Sequence, residues 1–314
     1  MKIIFFGTPE YVLPVLEQLH KKIKNRIGSP IVGVVTQSPK PVGRGKKMTF
    51  SPVDAWAHSR RIPIYYKSLD LLSKAKEADL GVLVAYGEII PEAVIKNFKY
   101  GILNVHPSLL PQFRGASPVQ AAIASGETQT GVTIIKLDSK LDHGPILSQF
   151  KEEVFAQDTT DSLRARLFQR SADVLVELLG PYTKGKITPR TQEDKKATST
   201  TLVKKAHGFV PPKYLAACLL GKSLRQDWEV PFIKDFSLTP SPDSINNFIR
   251  SMFPWPGAWS YIRLSERESK RLKILKAHRE ETKLILDEVQ LEGKNPVSWQ
   301  EFAAGYPKAF FAEV

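Results

Sequence analysis

The feature that most constrains the fold is a repeated alternation along the first half of the chain. Short, continuous apolar runs each end at a turn signal, and most are followed by a segment with helical character. Continuous apolar runs are typical of strands buried on both faces, as in parallel sheets covered by helices. The runs are KIIFF (2–6), IVGVV (31–35), IPIYY (62–66), LGVLVAY (80–86) and ILNVH (102–106). They predict an α/β fold with a doubly wound, mostly parallel sheet, a Rossmann-like arrangement.

The second half of the chain predicts a different kind of domain. The stretch TKGKITPRTQEDKKATSTTLVKKAH (183–207) is polar and lacks the apolar period of a packed element. Short alternating runs follow it, and such runs favour a smaller β-barrel-like, OB-type domain. The predicted organisation is a first domain at 1–188, a linker at 189–207 and a second domain at 208–314.

Charge is distributed unevenly along the chain. Its 314 residues include 45 Lys and Arg against 32 Asp and Glu, and the formal net charge is +13. Residues 21–61 contribute ten basic side chains and one acid, Asp54. Within them, 37–50 combines two prolines, two glycines and four basic residues, which predicts a mobile basic loop. This excess indicates a polyanionic partner such as nucleic acid.

Several classes of protein are disfavoured by what the sequence lacks. The one cysteine, Cys218, lies in an apolar run, so an internal disulfide or a multi-cysteine zinc site is not expected. The six histidines are scattered without an HExxH motif, and no metal site is expected. No apolar run approaches the ~18 residues of a membrane span, and the start does not read as a signal peptide. A cytoplasmic protein is expected.

Two polar residues stand at the end of one predicted strand. Asn104 and His106 are spaced i, i+2, which puts their side chains on one face, and Pro107 ends the strand. Ligands of parallel sheets bind beyond the carboxyl ends of the strands. Asp142, in the run KLDHG, is a candidate partner that could orient His106. The residues alone leave alternatives open: a structural histidine, a turn-forming aspartate, and His143 as the rival imidazole.

Five segments resemble methionyl-tRNA formyltransferases, a branch of the folate-dependent formyltransferase family, in order and spacing. The likeness is dense over about 1–170, resumes at FPWPGAW (253–259), and is lost at 207–232. The five segments are FFGTPEYVLPVLEQL, VTQSPKPVGRGKKMTFSPV, VAYGEIIP, GILNVHPSLLPQFRGASPVQAAI and GVTIIKLDSKLDHGPIL.

The resemblance implies a reaction and a set of site residues. The reaction would move the formyl group of 10-formyltetrahydrofolate to the α-amine of initiator methionyl-tRNA, without a metal, in a monomer. Asn104, His106 and Asp142 would be the catalytic residues. The folate site would comprise Ser108, Leu109, Leu110 and Pro111, with Tyr86, Gly87 and Ile89 beside the pterin. The tRNA acceptor stem would meet Arg44, Lys46 and Lys47.

Three other functions fit the sequence less well. A formyltransferase acting on a small amine, such as a nucleotide amino-sugar or glycinamide ribonucleotide, would keep the three catalytic residues. Binding a small acceptor would not require the basic loop. A tRNA-binding protein without turnover would have no use for the catalytic residues. A nicotinamide-dependent dehydrogenase shares the fold class, but the chain lacks the GxGxxG fingerprint.

Overall fold

The computed structural model describes residues 1–23, 28–42, 45–72 and 77–311. In these ranges, short 3₁₀ helices lie at Glu10–Val12, Ser68–Leu71, Asp194–Lys196 and Lys205–Gly208. The α-helices are α1 (Leu13–Lys22), α2 (Pro52–Ser59), α3 (Glu92–Ile95), α4 (Pro118–Ala124), α5 (Thr160–Thr183), α6 (Pro212–Leu219), α7 (Pro242–Met252) and α8 (Trp299–Gly305).

The strands of the first half are β1 (Ile3–Gly7), β2 (Ile31–Val35), β3 (Lys40–Val42), β4 (Lys47–Thr49), β5 (Ile64–Tyr65), β6 (Leu80–Val84), β7 (Ile102–His106), β8 (Arg114–Gly115), β9 (Gln129–Lys136) and β10 (Ile146–Glu153). Those of the second half are β11 (Ser199–Thr200), β12 (Trp228–Glu229), β13 (Ser237–Leu238), β14 (Ala258–Ser265), β15 (Glu268–Glu280), β16 (Lys283–Leu291) and β17 (Val297–Ser298).

The central sheet has seven strands in the order β10-β9-β7-β6-β1-β2-β5. The pairs β1–β2, β1–β6, β2–β5 and β6–β7 are parallel, and β7–β9 is antiparallel. All five residues of β1 are buried, as a continuous apolar run requires in a sheet covered on both faces. The predicted doubly wound, mostly parallel sheet is therefore confirmed.

The order of strand addition reverses next to β1. The chain builds β2 and β5 on one side of β1 and then returns to place β6 and β7 on the other. Such a reversal opens a crevice beyond the carboxyl ends of the strands, where α/β proteins bind their ligands. The ends of β1, β6 and β7 therefore border the expected site.

The predicted basic loop at 37–50 is wrong in one respect, because its described part forms a hairpin. Strands β3 and β4 pair antiparallel, with Lys40 opposite Thr49 and Pro41 opposite Met48. Proline is compatible with this arrangement, since a strand that pairs on one edge only can leave a backbone position without a donor. The side chains of β4 are exposed, so the hairpin presents its charge to solvent.

The chain divides into two compact units. The first unit comprises Met1–Arg114, Gly131–Glu152 and Arg164–Ala197; the second comprises Gly115–Thr130, Glu153–Leu163 and Thr198–Val314. The predicted linker at 189–207 is thus shared between the units and contains buried side chains, including Gln192 and Val203. Functional domain boundaries at 1–188 and 208–314 stay a prediction.

The second unit contains a separate antiparallel sheet in the order β14-β15-β16-β17. Helix α7 packs against β15 and β16, and it begins at a capping box in which the Ser241 side chain accepts from the Ser244 backbone N–H. Its buried face carries Ile245, Phe248 and Met252. This arrangement fits the small barrel-like domain predicted for the second half.

Candidate active site

Asn104 and His106 are held side by side by strand β7. The strand lies between β6 and β9, and all five of its residues are buried. Asn104 is 6% exposed and His106 is 4% exposed. Buried polar side chains need hydrogen-bond partners, so the loops at the end of β7 must supply them.

Asp142 supplies the first of these partners. It lies between β9 and β10, its backbone is in the left-handed region with φ of 48°, and it is 7% exposed. Its two carboxylate oxygens divide between the two strand residues. Asn104 Nδ2 donates to Oδ1 at 2.9 Å, and His106 Nδ1 lies 3.5 Å from Oδ2. The structure therefore brings the three predicted catalytic residues into one buried cluster.

The second nitrogen of His106 faces a backbone carbonyl. Nε2 lies 3.1 Å from Phe113 O. A carbonyl oxygen only accepts, so Nε2 carries the proton in this pair. The ring thus lies between the carboxylate of Asp142 and the loop that follows β7, and these neighbours orient it.

Asn104 has one more amide hydrogen than its bond to Asp142 uses. A side-chain amide has two hydrogens, and one of them is used by Asp142 Oδ1. Among the described residues, no protein acceptor faces the other hydrogen. An N–H held by a charged neighbour and left unused is suited to receive an oxygen that becomes negative during a reaction.

The loop that follows β7 is braced by buried hydrogen bonds. Ser108 Oγ donates to Gln112 O at 2.6 Å, and Thr133 Oγ1 donates to Ser108 O at 2.7 Å. Thr133 Oγ1 also accepts from Leu110 N at 3.0 Å and from Gln149 Nε2 at 2.8 Å. Leu110 is buried, whereas Leu109 and Pro111 are half-buried. The predicted folate residues 108–111 therefore form a rigid wall.

The turn after β6 contains the other residues predicted to lie beside the pterin, and that role stays a prediction. The Tyr86 ring is buried against Phe6, and its hydroxyl donates to Glu88 Oε2 at 3.2 Å. Burial and the neighbouring Glu88 raise the pKa of Tyr86 well above its usual value. Gly87 has φ of 89°, and a Cβ there would lie 2.6 Å from Gln37 Nε2. Ile89 is 86% exposed. The tyrosine side chain is thus part of the core.

The remaining residues named from the sequence are His143 and the basic residues predicted to contact nucleic acid. His143 is tied to acids, with Nδ1 at 2.7 Å from Asp138 Oδ2 and Nε2 at 3.5 Å from Asp194 Oδ2. It therefore braces the loop beside Asp142. Lys46 and Lys47 are exposed in the hairpin. Arg44, also predicted to contact nucleic acid, lies outside the described residues.

Comparison with known proteins decides the family. The model of the formyl transferase family matches residues 1–179. Methionyl-tRNA formyltransferase of Chloroflexus aurantiacus is 37% identical over 284 residues, 88% of this chain and 80% of the relative. That of Geotalea uraniireducens is 32% identical over 334 aligned positions, 98% of this chain and 95% of the relative.

The chain belongs to the methionyl-tRNA formyltransferase family. The likeness predicted from the quoted segments is thus confirmed. It also extends through 207–232, where the sequence pattern departs, because the Geotalea relative spans nearly the whole chain.

Solved structures place the fold in the same group. Methionyl-tRNA formyltransferase from Clostridium thermocellum aligns with a TM-score of 0.55 at 18% identity, over 93% of this chain and 98% of its own. An N-formyltransferase from Helicobacter canadensis, in complex with folinic acid and dTDP-3-aminofucose, aligns with a TM-score of 0.60 at 14% identity, over 95% of this chain and 98% of its own. The same fold thus occurs in both of these formyltransferases.

Metal sites, reactive thiols and membrane spans each require features that can be sought in the described part of the chain. Within those residues, no group of three or more His, Cys, Asp or Glu side chains could hold a metal ion. Cys218 is buried, and burial raises its pKa to about 12, so the thiol stays protonated. In the same residues, no helix is both long and apolar enough to cross a membrane.

Three site residues were missed from the sequence. Thr133 and Gln149 brace the loop at 108–111, and Gln192 donates to the backbone carbonyl of Asp142 at 2.9 Å. Thr133 had one usable signal, since it is a polar residue within an apolar strand run. Gln192 had none, because its neighbours are polar and its burial depends on residues far away in sequence.

Proposed function

We propose that the chain transfers the formyl group of 10-formyltetrahydrofolate to the α-amine of methionyl-tRNA. The product would be N-formylmethionyl-tRNA for translation initiation. The observation that carries this is the buried cluster of Asn104, His106 and Asp142 at the carboxyl end of β7. Membership of the family, whose relatives carry the name of this enzyme over most of the chain, supports the choice of acceptor.

Formyl transfer requires that the α-amine be placed against the formyl carbon and that the negative charge of the tetrahedral intermediate be stabilised. A free α-amine titrates at roughly 7.7–8.0, and an ester at the adjacent carbonyl lowers this further, so much of the nucleophile is neutral at pH 7. Its nitrogen bonds to the formyl carbon, which gives a tetrahedral carbon with a negative oxygen. The bond to N10 of the folate then breaks, the carbonyl re-forms, and N10 takes up a proton.

The unused N–H of Asn104 would stabilise the oxyanion. Asp142 would take the proton lost by the attacking amine, directly or through water. His106 was predicted to donate to the oxyanion as well. In this structure its Nε2 lies 3.1 Å from Phe113 O and its Nδ1 lies 3.5 Å from Asp142 Oδ2, so His106 would also hold the Asp142 carboxylate and the loop after β7 in position.

The wall at 108–111 suits the folate. The half-buried side chains of Leu109 and Pro111 offer apolar surface to the flat heteroaromatic pterin. The exposed backbone at 87–89 offers polar groups for its edge. Within this proposal the chain works in the cytoplasm and as a monomer, because the catalytic residues named all come from one unit of one chain and need no second copy.

The experiment that tests the proposal offers several acceptors to one enzyme. The purified chain is mixed with 10-formyltetrahydrofolate and methionyl-tRNA, with free methionine, a nucleotide amino-sugar and glycinamide ribonucleotide in parallel. We expect formyl transfer to methionyl-tRNA alone. Transfer to a small amine alone would overturn the proposed choice of acceptor. A lack of transfer to every acceptor would overturn the proposed reaction.

The basic hairpin would bind the tRNA acceptor arm. Lys46 and Lys47 are exposed, Lys47 is the first residue of β4, and both lie close to Arg44 in the sequence. Lysines that neutralise phosphates release counterions, so affinity falls as salt rises.

Removing both hairpin lysines is expected to weaken methionyl-tRNA use without affecting folate. In the double variant Lys46→Ala/Lys47→Ala, KM for methionyl-tRNA should rise, while the slope of log affinity against log salt should fall by about two. The matched control is Lys21→Ala/Lys22→Ala, which removes the same charge from the end of α1. Equal effects in both variants would assign the loss to overall charge.

The second unit carries a surface that suits an additional contact to nucleic acid. Tyr261 stands opposite Arg271 and Trp259 opposite Lys273 on the paired strands β14 and β15. The Arg271 guanidinium lies 4.2 Å from the centre of the Trp259 ring. Exposed cations beside half-buried aromatic rings are typical of surfaces that bind single-stranded nucleic acid. This supports the predicted tRNA-binding role of the C-terminal domain.

A further inference from the structure

A single buried glutamine connects the two loops that build the candidate active site. Gln192 Nε2 donates to Asp142 O at 2.9 Å and to Gly144 O at 2.8 Å. Its Oε1 accepts from Arg114 Nε at 3.1 Å and Nη2 at 2.8 Å. Arg114 directly follows Phe113, whose carbonyl faces His106. The side chain thus ties the Asp142 loop to the loop that holds the histidine.

The orientation of the amide is determined by these partners. Both amide hydrogens face carbonyl oxygens, and the amide oxygen faces a guanidinium. A flipped amide would place its oxygen against two carbonyls and its hydrogens against a cation, so four bonds would be lost at once. Gln192 is 7% exposed, so water cannot readily replace them.

The backbone on either side of Gln192 is anchored as well. Arg190 and Ile146 exchange two backbone hydrogen bonds of 2.8 Å, which places residues 190–194 alongside the start of β10. Asp194 accepts from Arg114 Nη2 at 2.8 Å and lies 3.5 Å from His143 Nε2. Asp194 therefore contacts both Arg114 and His143, the residue that follows Asp142.

Asp142 needs such support. Its backbone is in the left-handed region at φ of 48°, which a residue with a side chain adopts at a cost. A strained conformation persists where the surroundings determine it, and the bond from Gln192 acts on the carbonyl of that very residue. Loss of the bond would free the loop to relax and would move the carboxylate away from Asn104 and His106.

We propose that Gln192 is a positioning residue for formyl transfer, which sets Asp142 by clamping the backbone of its loop to Arg114. This rests on the catalytic role proposed for Asp142. Gln192 and Asp194 then support the catalytic centre, although the composition of their segment is that of a linker. A displacement of about 1 Å in a catalytic group can lower a rate ~100-fold, which sets the scale of the expected effect.

Two substitutions of similar volume test the clamp. Gln192→Glu still accepts from Arg114 but cannot donate to the carbonyls, and Gln192→Met is uncharged and makes neither contact. We expect kcat to fall ~10- to 100-fold in both, with KM for methionyl-tRNA and the affinity for 5-formyltetrahydrofolate within twofold of the unaltered chain. Glu193→Ala is the matched control, because Glu193 is exposed and pairs with Lys196 on the same segment. Its kcat should be unchanged.

A double-substitution cycle separates positioning from a purely structural role. If Gln192 acts through Asp142, adding Gln192→Glu to Asp142→Asn should cause no further loss of kcat. A multiplicative loss would overturn the inference, as would a change in thermal stability with kcat intact. A fall in Gln192→Glu alone, with Gln192→Met unaffected, would indicate a charge effect and also overturn it.

The outcome is distinguishable from failure of the proposed function. If the unaltered chain is active and Asp142→Asn is impaired, full kcat in both Gln192 variants overturns only the clamp. If Asp142→Asn keeps full kcat, the catalytic role of Asp142 fails, and the inference fails with it.

Discussion

Asn104→Ala is expected to lower kcat for formyl transfer about 100- to 1,000-fold, the usual effect of removing one oxyanion donor. The reason is that the amide has one N–H committed to Asp142 at 2.9 Å and a second available to the reacting oxygen. Single-turnover transfer from 10-formyltetrahydrofolate to methionyl-tRNA measures the effect. Folate affinity should stay near that of the unaltered chain, because the wall at 108–111 is untouched.

The control for Asn104→Ala is a second asparagine in the same unit. Asn97 follows α3 and is half-buried, so Asn97→Ala removes an amide without touching the cluster. Loss of the Asn104 amide also takes a partner from the buried carboxylate, which costs about 1–3 kcal/mol of folding stability. Thermal unfolding of both variants therefore accompanies the kinetics. Near-normal kcat in a folded Asn104→Ala protein would contradict the proposed role.

The second large effect is expected at Asp142. The substitution Asp142→Asn keeps the size of the side chain and an oxygen that accepts from Asn104, but it removes the negative charge and the proton acceptor. General base catalysis contributes about 10²–10⁴-fold, so kcat should fall within that range. Rapid-quench measurement of formyl-methionyl-tRNA gives the rate of the chemical step.

Asp173→Asn is the matched control for Asp142→Asn. Asp173 is an exposed residue of α5 that accepts a 2.6 Å hydrogen bond from half-buried Gln18 and has no part in the site. An unchanged rate is expected there. If Asp142→Asn retained the rate of the unaltered chain at pH 7, another group would have to take the proton.

The sequence predicted most of the sheet because strand formation here depends on local composition. The apolar run ILNVH corresponds residue for residue to β7 at Ile102–His106, and LGVLVAY contains β6 at Leu80–Val84. A strand buried on both faces is apolar along nearly its whole length, so a run of consecutive apolar residues predicts its position. The two polar residues that interrupt this rule were the ones that indicated the site.

The hairpin and the predicted linker show where local reasoning was insufficient. Prolines, glycines and lysines in 37–50 favour irregular structure, yet β3 and β4 pair with each other because a two-stranded ladder needs only one bonded edge on each strand. Residues 189–207 are polar, yet Gln192 is buried because Asp142, Gly144 and Arg114 satisfy all of its hydrogen-bonding groups.

The sequence by itself therefore determined the sheet, the i, i+2 placement of Asn104 and His106, and the family. Tertiary structure alone decided which hydrogen bonds these residues make with distant groups. Asn104 donates to the Asp142 carboxylate, His106 faces the carbonyl of Phe113, and Gln192 donates to the backbone of the Asp142 loop. The physical reason is that apolar burial follows from neighbouring residues. The partners of a buried polar group, by contrast, depend on which loops the completed fold brings to it.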